Sequence, residues 1–65
     1  MSAALRLDAD DLERTAKFLR ALTAATEEFG IELAPYGRAE IKVADTVVSI
    51  VWDNDQYVLD DQVGA

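Results

Sequence analysis

The sequence predicts an α+β fold, one N-terminal amphipathic helix packed on a three-stranded antiparallel β-meander. Three observations predict it. Apolar residues recur at helical spacing through the first half of the chain. Gly30 closes that run. Beyond it the apolar period drops from 3.6 to 2, between residues that favour turns. The 65 residues make one domain, 1–65, near the lower size limit for an unaided hydrophobic core.

The helix is expected over 8–29, with its first full turn at Ala9. Asp8 suits the N-cap, because its carboxylate can accept from the unpaired amides of the first turn. Asp10 and Asp11 follow where the helix dipole favours negative charge. Leu7 and Leu12 have the spacing of a hydrophobic staple. Asp10 with Arg14, and Glu13 with Lys17, are i,i+4 pairs in the favourable orientation. Leu12, Ala16, Leu19, Leu22 and Phe29, flanked by Thr15, Phe18 and Ala25, form the stripe expected to face the sheet. Gly30 then ends the helix in the left-handed conformation.

The meander is expected over 31–60. Ile31-Glu32-Leu33 is a short extended piece, and Pro35 with Gly37 punctuates a turn. Arg38 to Val43 alternates, Ala39, Ile41 and Val43 on one side and Arg38, Glu40 and Lys42 on the other. Ala44-Asp45 makes a tight turn without the glycine that hairpins prefer. Thr46 to Trp52 is the strongest strand. Asp53-Asn54-Asp55 is a second turn, and Gln56 to Leu59 the last strand. Leu5 and Leu7 also alternate, so a short extra strand over Ala3 to Leu7 is a further option. Residues 61–65 read as a frayed tail.

With two-residue loops, Val43 opposes Thr46, Ile41 opposes Val48 and Ala39 opposes Ile50. Ile41, Val43, Val48, Ile50, Trp52, Tyr57 and Leu59 then share the face that the helix covers. The opposite face carries Val47, Val51 and Val58 beside Arg38, Glu40, Lys42 and Ser49. Two readings of those valines stand side by side. Either the long Arg38 and Lys42 stems lie over them, or they belong to an interface with a second copy or another protein. Trp52, Tyr57 and Tyr36 are the candidate aromatic anchors for such an interface.

The residues speak against catalysis. There is no histidine and no cysteine, which removes the commonest general base, the commonest nucleophile partners and most transition-metal sites. Three scattered glycines form no phosphate loop. Asp53-Asn54-Asp55 begins like an EF-hand loop, but Val58 stands where the sharp-turn glycine belongs and no Glu closes it. The chain is read as a non-enzyme with no cofactor, no metal and no catalytic residues.

Charge bounds the partners. The net charge is -7, which repels nucleic acid and anionic lipid. Arg14, Lys17 and Arg20 are the one basic cluster, and they read as local ion pairs on a solvated face. After Lys42 there are five acids, Asp45, Asp53, Asp55, Asp60 and Asp61, and no base. That acidic surface supports an alternative role as an inhibitor that imitates nucleic acid. A small structural subunit of a larger assembly is a third reading. No signal-peptide pattern or membrane-length apolar run occurs, so a cytoplasmic protein without membrane contact is expected.

Leu22 to Leu33, LTAATEEFGIEL, followed by Gly37, resembles a pattern in small accessory proteins of actinobacterial phages. There a helix written L-x-x-L-T ends at an aromatic or His plus Gly, followed by I-x-I or I-x-L and a glycine-containing loop. The resemblance covers about a dozen residues. It implies a phage product that is host-directed or regulatory, acting in the host cytoplasm. Many of those proteins continue into a Cys- and Gly-rich loop, whereas here the loop is Ala34-Pro35-Tyr36-Gly37. No functional residue is carried over. The leading expectation is a protein-binding or self-assembling accessory module, its partner a second copy in a homo-oligomer, foremost a dimer, or a host protein.

Overall fold

A computed structural model describes residues 7–60. The expected strand over Ala3 to Leu7 and the tail 61–65 lie outside the described residues, except that Leu7 is a bend, not a strand. Helix α1 spans Ala9–Phe29, and strands β1, β2 and β3 span Arg38–Val43, Thr46–Asp53 and Gln56–Leu59. The three strands form one antiparallel sheet in the order β1-β2-β3, with α1 against one face. This is the α+β arrangement that the switch of period predicts.

Asp8 caps α1 with extended backbone, and its carboxylate accepts the Asp11 N–H at 2.8 Å. Gly30 closes the helix at φ 68°, and its N–H reaches the Thr26 carbonyl at 2.9 Å. Arg14 pairs with Asp11, one turn back, and not with the expected Asp10. Residues three apart are neighbours on the helix surface as those four apart are, so Asp11 lies within reach of the Arg14 guanidinium. Lys17 pairs with Glu13 as expected, at 3.6 Å. Leu7 turns into the core while Leu12 stays at the rim, 37% exposed.

Both hairpins close through two residues, and the register is the expected one, with Val43 opposite Thr46 and Ile41 opposite Val48. Trp52 opposes Tyr57. Asn54 and Asp55 both take positive φ, 53° and 64°, as a type I′ turn requires. Ala44 takes φ 54°, a conformation that its Cβ disfavours.

The core consists of Leu7, Leu19, Val48, Ile50, Tyr57 and Leu59, with Leu22, Ala34, Ala39, Ile41 and Val43 packed at its margin. The face that α1 presents differs from the expected stripe. Thr15 and Leu19 are its buried residues, with Leu22, Thr23, Ala25 and Thr26 half-buried. Ala16, Phe18 and Phe29 are exposed. The reason is polar. Tyr57 carries a hydroxyl and a backbone N–H under the helix, and Thr23 and Thr26 supply their partners. Successive helical residues are about 100° apart around the axis. Turning the threonines and Leu19 inward therefore leaves Phe18 on the flank.

α1 packs chiefly against β3. It sits off-centre, so β1 is the least covered strand, and its inner residues Ala39, Ile41 and Val43 are half-buried.

Candidate functional site

The Tyr57 side chain joins three parts of the fold, and it is only 3% exposed. Its hydroxyl lies 2.8 Å from the Thr26 hydroxyl and accepts the Leu33 N–H at 2.9 Å. The Tyr57 N–H donates to the Thr23 hydroxyl at 3.0 Å, and that hydroxyl donates onward to the Leu19 carbonyl at 2.8 Å. No buried side-chain polar atom lacks a partner among the described residues. Tyr57 is therefore a clamp between helix, loop and sheet, and burial removes it from the surface anchors expected of the sequence. Trp52 meets it edge to face, ring centroids 4.8 Å apart and planes at 77°. Trp52 is part exposed over a small hollow with Glu32, Ala34 and Pro35. It lies on the helix side of the sheet, away from the valines. Tyr36 stands fully exposed in the turn before β1.

The valine face is partly covered. Arg38 reaches across β2 to Asp60, with 3.2 Å between Nη1 and Oδ2. Val51 and Val58, which pair in register, are half-buried, while Val47 is 51% exposed. The long-stem reading thus describes the Val51 end of that face. Val47 remains in water beside Lys42.

The acids do not gather. Asp45 sits in one hairpin loop, Asp53 and Asp55 at the other, and β2 separates the two ends by roughly 25 Å. Asp60 is held by Arg38. Asp61 lies outside the described residues. Among the described residues, no group of three or more His, Cys, Asp or Glu side chains is placed to hold a metal ion. Nor is any helix there long and apolar enough to cross a membrane.

An exposed apolar seam lies on the flank of α1, where the helical pattern predicts a buried stripe. Phe18, Leu22, Ala25 and Phe29 recur at spacings of four, three and four, so they line one flank of α1. Phe18 is 51% exposed and Phe29 68%. The seam runs on into Ile31, 71% exposed, and Leu33. At its far end Leu22, Ala25, Phe29, Ile31 and Leu33 border a shallow hollow of about 220 Å³. At its near end Phe18 and Thr15 face Ile41 and Val43 across an open cleft of about 400 Å³. The signal was present in the chain. Besides Leu19 and the threonines, α1 holds more apolar residues than one off-centre sheet can cover.

No protein-family model, no curated protein and no solved structure matches the chain.

Proposed function

We propose that the chain is a non-enzymatic binding module that works by contact with another polypeptide through the open flank of its helix. The observation that carries this reading is the seam of exposed Phe18 and Phe29 flanking half-buried Leu22 and Ala25, continuous with exposed Ile31 and Leu33. Apolar surface of that continuity on so small a domain is characteristic of interfaces, and aromatic residues dominate their energetics. The absence of histidine and cysteine from the sequence supports a role without chemistry. The likeness of Leu22 to Gly37 to phage accessory proteins supports a host-directed setting in the cytoplasm. The dispersed acids lend no such support to a nucleic-acid mimic.

The test compares the wild-type chain with a Phe18→Lys, Phe29→Lys double variant, each immobilised and exposed to extract of the source cell, with bound polypeptides other than the chain itself scored. Both side chains are exposed, so circular dichroism should report the same fold. The expected result is one bound polypeptide that the double variant loses and that moderate salt leaves in place. Identical capture by both chains overturns the reading. Capture that collapses as salt rises favours the acidic surface instead.

A further inference from the structure

We propose that the outer edge of β1 is a self-association surface, on which a second copy lays its own β1 antiparallel about a two-fold axis at Ile41. This adds a second contact to the module proposed above and rests on the reading that the chain works by binding.

The sheet has two outer edges, and the fold treats them differently. At β3 the helix occupies part of the edge, since Thr23 accepts the outward N–H of Tyr57. Among the described residues the outer edge of β1 has no partner strand. Its backbone groups are oriented for one. A two-residue loop makes its closing pair, Val43 and Thr46, a hydrogen-bonded pair. By alternation Val43, Ile41 and Ala39 direct their N–H and C=O groups to β2, while Arg38, Glu40 and Lys42 direct theirs outward.

The side chains select one register. Antiparallel partners share a face, so a slip of one residue would set the apolar row of one copy against the charged row of the other. Centring on Glu40 opposes Glu40 to itself and Arg38 to Lys42. Centring on Lys42 opposes two lysines. Centring on Ala39 runs Ile41 and Val43 past the partner strand, against Gly37 and Pro35. The Ile41 centre avoids all three. Glu40 meets the second copy's Lys42, twice by symmetry. Ile41 meets Ile41, and Ala39 meets Val43, on the half-open inner face beneath Phe18. Among the described residues neither Glu40 nor Lys42 has an ion-pair partner within the chain. Lys42 discourages pairing with an unrelated strand, and the copy's Glu40 answers it.

Sedimentation equilibrium of the full chain over a wide concentration range tests this. The wild type is expected to dimerise. Glu40→Lys and Lys42→Glu each turn both cross-axis pairs repulsive, so each should raise the dissociation constant about tenfold or more at low salt. An equimolar mixture of the two variants restores both attractive pairs and should form a heterodimer of wild-type strength, seen at its own mass by native mass spectrometry. Recovery in the mixture also shows that both variants are folded. A dimer indifferent to either substitution, or one that is weakened but not rescued by mixing, overturns the β1 register. A wild-type monomer at every concentration overturns self-association, whatever covers the edge. If that monomer still captures another polypeptide through Phe18 and Phe29, the wider reading stands. If it captures none, both fall.

Discussion

The Tyr57 hydroxyl lies 2.8 Å from the Thr26 hydroxyl, joining residues 31 positions apart in the chain, and the same oxygen accepts the Leu33 N–H. One phenol thus fixes the helix, the loop after it and the last strand. Tyr57→Phe removes that oxygen and leaves two groups in a part-buried site without partners. An unmade bond of this kind costs about 1–3 kcal/mol. The variant is expected to melt earlier with an unchanged far-ultraviolet spectrum, as thermal denaturation followed by circular dichroism will show. An unchanged midpoint would mean that water replaces the phenol freely.

Ala44 holds φ 54° in the first hairpin. A glycine there relieves the steric cost of about 1–2 kcal/mol that an L side chain incurs in that region. Part of the gain is lost to the greater freedom of glycine in the unfolded chain. Ala44→Gly is therefore expected to raise the unfolding free energy by about 1 kcal/mol in urea titrations. Asp55→Gly at φ 64° should act in the same direction.

The two acids near the start of α1 should respond differently. Asp8→Ala removes the acceptor of the Asp11 N–H and is expected to cost about 1 kcal/mol. Asp10 caps nothing and is exposed. Asp10→Ala should cost only the few tenths of a kcal/mol that a charge near the helix dipole contributes. Comparing the two midpoints separates a capping hydrogen bond from simple charge placement.

Phe29 and Leu19 are both large apolar residues of one helix, yet their truncations should diverge. Leu19→Ala empties a core position and is expected to cost about 2–5 kcal/mol. Phe29→Ala, at an exposed position, should stay within about 0.5 kcal/mol of wild type. Urea midpoints of the isolated chain will rank them. Equal losses would place Phe29 in the core.

Much of the fold was legible because local signals agreed. Asp8 and Gly30 bound the helix, and the alternation of Arg38 to Val43 with the uninterrupted run of Thr46 to Trp52 fixes the register. What pattern alone misplaced was the rotation of the helix. Counting apolar residues puts Phe18 and Phe29 under it, but the hydroxyl and N–H of Tyr57 draw Thr23 and Thr26 inward instead. Hydrogen bonds between residues so distant in sequence leave no periodic trace. The candidate site shifted for the same reason. The aromatic at 57 became part of the core, Arg38 came to span Val51, and the exposed seam emerged on the helix flank.

The Thr23 hydroxyl that occupies the outward amide of Tyr57 also limits how many neighbours the sheet can take. A sheet open on both sides can add strands without end, and that is the geometry of fibres. If a second copy pairs along β1 as proposed, it takes the edge that Thr23 leaves open among the described residues. The valence of the domain for strand addition would then be one, and growth would stop at a closed pair.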